Sequence, residues 1–546
     1  MLLFSSRCFY LRFKSYLCSE GRLDLAISIN EKAYILCLVA GSLLLILLAN
    51  LILWPFDYIP HIDTPNHYSR HLIHCQVDDS SGLGRFYDYD LEIVPNLAAD
   101  LIFMFEAACQ DVGFTQKVIV QFSSFGFLIS IFVLHRAIWK AWSVWPLLAT
   151  AILRHMSLGY GFENFSLTVP IVILVLAAWF FLIHLSVVAR LALIWSPVLL
   201  VYILHLYAFG FLMMALFLLE LQRWWNTRNI PGSRRRVFVA LAMFGLIATI
   251  PALHLPTTLP TSDGYAIAAT SFGDLLDRHM TIASPFAPYP YVEWPGAMRR
   301  DFLLVFMAIC MVVLVCRFTR IPIRLAFEAK LLCIVALVVC FLVPPVLSGV
   351  YLTHIRFPVL TAAVIIAASR ADFTLRAAAT FSAVAVFLFG LRMFWLENTW
   401  SQYEADVQEL FIATRDLSHE NRVLIARENP AVPRVIQHTH SIFYPASEIG
   451  FYVPSAFTGG SSLKPRPLFE SRNAPQFFPE PWKVLHEVSS ARQDGLPAPY
   501  RHWRQFYTHM LVLRDESYPT VETYPFGEII ARGSFFDLVQ IKPFGK

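Results

Sequence analysis

Long apolar runs alternate with short polar segments over most of the chain. Most are close to the roughly 17–25 residues that an α-helix needs to cross a bilayer. The pattern therefore predicts about eleven transmembrane helices in an α-helical polytopic membrane domain spanning 33–396. The apolar runs are broken at two places: Arg154 and His155 interrupt one run, and His205 divides another. The runs fall at about 33–54, 117–135, 143–158, 165–185, 191–205, 207–222, 237–256, 301–317, 329–347, 354–370 and 375–395.

The final part of the chain, 397–546, has a different pattern. It holds 14 of the 33 prolines and no long apolar run. Short strand-like stretches occur at Arg422–Ala426, His509–Leu513 and Phe535–Ile541, between polar or helical segments. This pattern predicts a C-terminal α/β domain outside the membrane, joined through an amphipathic stretch at about 398–418.

Composition agrees with a membrane protein. Hydrophobic residues make up 57% of the chain and charged residues 15%, against roughly 45–50% and about 25% in soluble domains. The net charge of +4 comes without a basic block beside an aromatic nucleic-acid motif. The lipid bilayer is therefore an expected partner, and nucleic acid is excluded as one.

The distribution of lysine and arginine predicts the orientation, because loops that stay in the cytoplasm are enriched in them. The segment 1–32 is basic and should be cytoplasmic. The loop 55–116 has ten acidic residues against Arg70 and Arg85, and the loop 257–300 is proline-rich with few cations. Both large loops, and with them the C-terminal domain, should be extracytoplasmic. Cations gather in the loops predicted to be cytoplasmic: Arg136, Lys140, Arg190, Arg223, Arg228, Arg234, Arg235, Arg236, Arg317, Arg320, Arg324, Lys330, Arg370 and Arg376.

The nine cysteines do not form a disulfide scaffold, since five lie inside apolar runs and 397–546 has none. Cys75 and Cys109 share the first large loop. They form a bridge if the loop faces an oxidising compartment, and two free thiols are the simpler interpretation.

The densest group of polar residues follows the first apolar run. Thr64 followed by Pro65 is typical of a helix start, with threonine as N-cap and proline at the first helical position. In a helix from there, His67, Arg70, His71 and His74 would share one face. Asp63 would lie just before the helix N-terminus, where its ionised form is stabilised.

This grouping suits transfer of a group from a phosphate carrier. Asp63 is the candidate base for the acceptor hydroxyl, and Arg70 or a histidine-bound cation could hold the departing phosphate. His67 and His71, with Asp63, could also bind a divalent metal ion, although no zinc-protease pattern is present. No other cofactor is indicated. Polar residues at a membrane boundary are the ordinary alternative.

Further polar residues are candidates for binding the substrates. Glu163 and Asn164 lie at the outer end of a predicted span, where an ionisable group needs a partner or water. Arg356 lies at another outer span end and could meet a lipid phosphate, with snorkelling to the headgroups as the alternative. In the second large outer loop, Asp263, Asp274 and Asp277 could contact sugar hydroxyls. In the C-terminal domain, Trp482, Tyr500 and Trp503 could stack on a sugar, and His438 with His440 could line a cleft.

The order of these features resembles the GT-C superfamily of polyprenyl-phosphate-dependent membrane glycosyltransferases. In that superfamily, which includes protein O-mannosyltransferases and the aminoarabinose transferase, a large outer loop follows the first span. Here the loop opens with Asp63-Thr64-Pro65-Asn66-His67 and Arg70. The resemblance continues at 94–101, 159–165 and 205–209, closest to uncharacterised bacterial members.

The resemblance implies an inverting transfer of a sugar from a polyprenyl phosphate to a glycan, lipid or protein acceptor of the cell envelope. It implies catalysis at the outer face of a bacterial inner membrane, in polysaccharide biosynthesis, with Asp63 as the base. Two other functions stay open on sequence grounds. They are a transporter or flippase for lipid-linked glycans and a non-catalytic membrane assembly protein.

Overall fold

A computed structural model describes most of the chain between Lys32 and Lys542. The predicted span 301–317, the acids of the loop 257–300, and Trp482 and Tyr500 lie outside the described residues. So does the segment 1–31. The described residues are 32–76, 82–91, 93, 95–229, 238–242, 244–249, 281, 284–287, 321–344, 346–347, 350–427, 433–454, 463–470, 503–515 and 521–542.

The described chain is mostly helical. In chain order the helices are α1 (Lys32–Leu53), α2 (Thr64–Cys75), α3 (Ala98–Phe103), α4 (Glu106–Cys109), α5 (Val112–Trp139), α6 (Met156–Gly159), α7 (Glu163–Phe181), α8 (Val187–Leu204), α9 (Leu206–Thr227), α10 (Lys330–Leu342), α11 (Phe357–Ala368), α12 (Leu375–Thr414), α13 (Pro433–Gln437), α14 (Phe443–Ile449), α15 (Pro467–Glu470) and α16 (Trp503–Phe506). Residues 238–242 and 244–249 are also helical.

Six of these helices are long and apolar enough to cross a membrane: α1, α5, α7, α8, α9 and α12. Each coincides with a predicted apolar run. The predicted division at His205 is confirmed, because this residue ends α8 and begins α9. Its backbone is extended, and its Nδ1 accepts a hydrogen bond from the N–H of Ala208 at 3.3 Å. The runs at 329–347 and 354–370 form the shorter helices α10 and α11.

The prediction of one helix over 143–158 is wrong. A 3-10 helix covers Trp145–Ile152, and the single turn α6 follows. The interruption noted in the sequence is the reason, since His155 leaves the helical conformation and its Nδ1 accepts from the N–H of Leu158. The 3-10 helix is wound more tightly than an α-helix, and α6 has only four residues, so neither is a membrane-spanning α-helix.

The segment between α5 and α7 nevertheless crosses the bundle. The two helices lie parallel, because Gln116 near the start of α5 contacts Glu163 at the start of α7, while Lys140 after α5 contacts the carbonyl of Phe180 near the end of α7. The chain must therefore return along the length of α7, roughly 28 Å for 19 residues. One face of the bundle is called here the Asp63 end and the other the Lys140 end.

The surfaces of the long helices are apolar. Leu44, Leu193 and Phe387 each expose more than half of their surface, as side chains in contact with lipid do. Charge is paired where it is buried. Arg190, which is fully buried near the Lys140 end, contacts Glu220, and this carboxylate also accepts from the indole of Trp179.

Helix α12 extends well beyond a bilayer. Its 40 residues measure roughly 60 Å, about twice the hydrocarbon thickness. The predicted span 375–395 and the predicted amphipathic stretch after it are therefore one continuous helix. Phe389 and Trp400 belong to the core of the helix bundle, and Leu410 belongs to the core of the following α/β unit.

The residues after α12 form an α/β unit around a four-stranded mixed sheet. The strands among the described residues are β1 (Tyr87–Tyr89), β2 (Ile323–Leu325), β3 (Val346–Leu347), β4 (Val350–Tyr351), β5 (Ser369–Ala371), β6 (Val423–Arg427), β7 (Leu463–Pro465), β8 (His509–Leu513), β9 (Gly527–Arg532) and β10 (Phe536–Ile541). The strand order in the four-stranded sheet is β6-β8-β10-β9, with β6 parallel to β8 and the other pairs antiparallel.

The first large loop packs against this unit. Strand β1 pairs antiparallel with β7, and the backbone N–H of Arg466 bonds to the carbonyl of Phe86. Helix α14 lies against α2, where Tyr444 contacts the ring of Tyr68. These contacts bring residues from the two ends of the chain together at the Asp63 end of the bundle.

Cys75 and Cys109 form a disulfide, with their Cα atoms 5.3 Å apart. The less simple of the two sequence interpretations is therefore correct. The bridge joins the C-terminus of α2 to α4 and closes a loop with a sequence separation of 34 residues.

We expect the free energy of unfolding of the double variant Cys75→Ser/Cys109→Ser to be about 3–4 kcal/mol lower than that of the wild type, because a loop of this length is no longer closed in the unfolded chain. Maleimide labelling of the denatured chain, with and without reduction, checks the bridge. Reduction should add two more labels to the wild type than to the double variant. An equal increment in both would contradict the assignment.

Candidate active site

The start of α2 lies at the centre of the candidate site. Asp63 occupies the N-cap position, so the prediction that Thr64 is the cap was displaced by one residue; Pro65 follows within the first turn. The Thr64 hydroxyl is used elsewhere, because it donates to Glu163 Oε1 at 2.9 Å. This bond ties the first turn of α2 to the start of α7.

The backbone also fixes the position of Asp63. Its N–H donates to the carbonyl of Tyr160 at 2.9 Å. Gly161, with φ of +82°, faces the same turn, and a Cβ there would lie 2.8 Å from the Thr64 nitrogen. Only glycine allows both this left-handed conformation and this close approach without strain.

The Asp63 side chain is partly buried, with 20% of it exposed. Burial raises the pKa of its carboxyl to about 7, and the positive charge of Arg356 opposes the rise. His440 Nε2, from the α/β unit, lies 3.7 Å from Asp63 Oδ1, which is too long for a hydrogen bond. Burial lowers the pKa of His440 to about 3, so this imidazole is neutral.

The predicted face of α2 forms, and three of its members are buried: His67, Arg70 and His71. Arg70 Nη2 lies 2.7 Å from Asp100 Oδ1, and both side chains are almost fully buried. Asp100 also accepts from the hydroxyl of Tyr89. The charge of Arg70 is thus balanced by a carboxylate of α3.

Glu163 connects α7 with α2 and α5. Its Oε1 accepts from Thr64 Oγ1 and, at 2.7 Å, from Gln116 Nε2. Its Oε2 lies 3.9 Å from His71 Nε2. The predicted grouping of His67 and His71 with Asp63 is not the one that forms, since the described residues group these histidines with Glu163. The carboxylate of Glu163 lies against the side of α2, whereas that of Asp63 lies at the N-terminus of α2.

Asn164 has a structural role. Its Oδ1 accepts from the N–H of Ala99 and its Nδ2 donates to the carbonyl of Asn96, both at 2.7 Å. The side chain therefore holds the loop before α3 against the start of α7.

Arg356 precedes α11 and is buried, with 7% of its surface exposed. Its guanidinium carbon lies 4.2 Å from the ring centroid of Phe162 and 5.5 Å from that of Tyr207. The alternative of snorkelling to the headgroups would require an exposed guanidinium. Arg356 is instead the cation whose charge acts on Asp63.

The aromatic and histidine candidates of the C-terminal unit have separate places. His438 is buried and bonded to Asp406 and Ser441. Trp503, expected as a surface for stacking on sugar, is 1% exposed and packs against Phe526. It belongs to the core of the unit.

Sequence patterns missed several contributions to the site. His440 lies far along the chain from Asp63, and the sequence predicts only that it could line a cleft of the C-terminal domain. Tyr160 and Gln116 carried no signal, since one contributes a carbonyl and the other is a single amide in an apolar helix. Gly161 was visible only as part of a short resemblance.

The arrangement can do acid–base chemistry near a fixed positive charge. A carboxyl with a pKa of about 7 can accept a proton at neutral pH. Arg356, which stays positively charged, can contact a phosphate through two nitrogens. The two groups share one end of the helix bundle.

No protein-family model matches the sequence, and no curated protein is significantly similar to it. Similarity is found to solved structures of ArnT from Cupriavidus metallidurans. The structure in the apo state has 11% identity, covers 93% of this chain and 98% of that chain, and gives a TM-score of 0.49. The structure bound to undecaprenyl phosphate has 12% identity, the same coverage and a TM-score of 0.50. The resemblance predicted from sequence is thus confirmed at the level of the fold: this chain has the fold of ArnT, an aminoarabinose transferase of the GT-C type.

Proposed function

We propose that this protein is an inverting membrane glycosyltransferase of the GT-C type. It moves a sugar from a polyprenyl phosphate to a hydroxyl of a cell-envelope glycan, lipid or protein. The observation that carries the proposal is the partly exposed Asp63 carboxyl, fixed by Tyr160 and Gly161 and placed within the electrostatic reach of Arg356. ArnT, whose fold this chain shares, has a solved structure bound to undecaprenyl phosphate. This supports a lipid phosphate as the donor.

The reaction balances with the groups at hand. Asp63 takes the proton of the acceptor hydroxyl while the oxygen of that hydroxyl forms a bond to the anomeric carbon of the sugar. The bond between that carbon and the phosphate oxygen breaks, and the electron pair stays on the lipid phosphate. A single displacement of this kind inverts the configuration at the anomeric carbon.

Arg356 is the residue we assign to the phosphate. It is buried, and within the part of the chain that the structure describes its Nε has no hydrogen-bond partner. A buried guanidinium nitrogen without a partner is costly, and a phosphate oxygen would satisfy it. Arg70, which the sequence also suggests for this role, pairs with Asp100. We assign Arg70, His67, His71, Glu163 and Asn164 to support of the site.

We place the reaction at the extracytoplasmic face of a bacterial inner membrane. In this arrangement 1–32 is cytoplasmic, 33–396 is the membrane domain and 397–546 is extracytoplasmic. The Cys75–Cys109 disulfide supports an oxidising compartment for the first loop. The cations Lys140, Arg190 and Arg370 lie toward the opposite end of the bundle, as cytoplasmic loops require.

A transporter or flippase is less well supported. Transporters place ionisable groups and broken helices near the middle of the membrane. Here Asp63, Glu163 and Arg356 gather at one end of the helices. A non-catalytic assembly protein would not need a glycine in the left-handed conformation to hold a carboxyl near the charge of an arginine.

Asp63→Asn should abolish transfer while leaving the amount of protein in the membrane unchanged, because the amide keeps the shape but cannot take the proton. General-base catalysis is worth about 10²–10⁴-fold. Mass spectrometry of envelope glycans and lipid-linked sugars, in a deletion strain carrying each variant, measures this. Asp57→Asn is the matched control, since this acid of the same loop is 74% exposed and should leave product unchanged. Normal product from Asp63→Asn would refute the assignment.

Arg356→Gln should weaken use of the lipid phosphate donor by about 10-fold or more, because it removes a charge-assisted contact. The effect should appear as a higher donor KM in membranes. Arg370→Gln, a substitution near the other end of the bundle, should behave as wild type. An unaltered donor dependence in Arg356→Gln would count against a phosphate contact.

Gly161→Ala should lower transfer by about 10-fold or more, because the added Cβ would press on the Asp63–Thr64 backbone at a positive φ. Gly210→Ala is the control, since a Cβ there meets no atom within 4 Å. The same envelope assay compares the two. Equal product from both variants would show that the turn does not position Asp63.

A further inference from the structure

Three buried side chains at the junction of α2 and α7 could share one ion. His67 and His71 lie one helical turn apart on α2, with stacked rings whose centroids are 6.1 Å apart. Glu163 reaches them from the start of α7. One ligand atom from each residue lies within 4.8 Å of the others, and all three residues are buried. They come from distant parts of the sequence.

Two of the three residues, His71 and Glu163, have side-chain polar atoms without a partner among the described residues. Among the described residues, neither ring nitrogen of His71 has a hydrogen-bond partner, and neither does Glu163 Oε2. The 3.9 Å between His71 Nε2 and Glu163 Oε2 exceeds a hydrogen bond. A buried carboxylate oxygen and a buried imidazole without partners are costly, and a shared cation would satisfy both.

The surroundings orient the carboxylate for such a role. Thr64 and Gln116 both donate to Oε1, which leaves Oε2 directed at His71. Hydrogen bonds of this kind are the outer shell that fixes metal ligands in proteins. The ring of Phe103 stacks on the imidazole of His71, with the two ring centroids 4.1 Å apart.

The donor types favour zinc over magnesium and calcium. Two imidazole nitrogens and one carboxylate oxygen are the ligand set of zinc sites that keep a fourth position open. Magnesium and calcium prefer oxygen ligands alone. The ion would also neutralise the charge of Glu163, whose ion-pair contact within the described residues is to His71.

We infer that His67, His71 and Glu163 bind one zinc ion that joins α2 to α7, with the fourth position open to water or to a phosphate oxygen. Asp63 is not a ligand. The inference concerns the same end of the molecule as the proposed transferase site but does not depend on transfer. It predicts metal content, which is measured without any sugar substrate.

The test uses the full chain purified in detergent, stripped with a chelator and then dialysed against zinc. Elemental analysis should find one zinc per chain in the wild type. His71→Ala and Glu163→Gln should bind zinc more weakly by over about 100-fold, since even loss of an outer-shell partner costs 10–100-fold. His74→Ala is the matched control, because His74 lies on the same helix and bonds to the carbonyl of Phe103. It should keep the wild-type zinc content.

A second measurement distinguishes loss of zinc binding from loss of folding in the variants. Cobalt added to the stripped wild type should give the visible absorption of a four-coordinate site, and zinc should raise its Tm. Glu163→Gln should show neither effect while its melting transition stays cooperative. Zinc content in the wild type no higher than in His71→Ala, or equal loss in His74→Ala, would overturn the inference. Asp63→Asn should keep its zinc, so failure of the catalytic assignment and failure of the metal site give different results.

Discussion

The junction between the first turn of α2 and the start of α7 is the constraint on which the site depends. The Asp63 N–H bonds to the carbonyl of Tyr160, and the Thr64 hydroxyl bonds to Glu163. Gly161 packs so closely against the Asp63–Thr64 backbone that α2 cannot shift toward it. A helix of 12 residues, too short to be stable alone, is thereby held in one position on the bundle.

The same junction depends on the return of the chain from α5. Because α5 and α7 lie parallel, the irregular segment 140–162 must carry the chain back to the Asp63 end. It does so through a 3-10 helix and a single α-turn instead of a regular span. Its final turn then supplies the carbonyl and the glycine that Asp63 needs. The irregularity and the position of the carboxyl thus have the same origin.

Helix α12 fixes the second half of the site. It is longer than a bilayer is thick and contributes to the cores of both the helix bundle and the sheet unit. Arg392 on this helix donates to the carbonyls of Ala151 and Arg154, which couples α12 to the return segment. Helix α14 and the pairing of β1 with β7 complete the contact, so that His440 reaches Asp63. The balance of charge there follows from burial: Arg70 is matched by Asp100, and Arg356 acts on Asp63.

The apolar runs of the sequence by themselves determined the membrane class, the six long helices, the division at His205 and three strands of the sheet. These are local properties, because the bilayer requires long apolar helices and a short apolar run between polar segments favours a buried strand. The sequence also predicted the helix from Thr64 and its histidine face. It could not decide which groups meet across the chain. The pairing of Arg70 with Asp100, the approach of His440, the Cys75–Cys109 bridge and the choice of Glu163 over Asp63 as neighbour of the histidines all depend on how the helices pack. Spacing along the chain fixes a face, and only tertiary packing decides what that face meets.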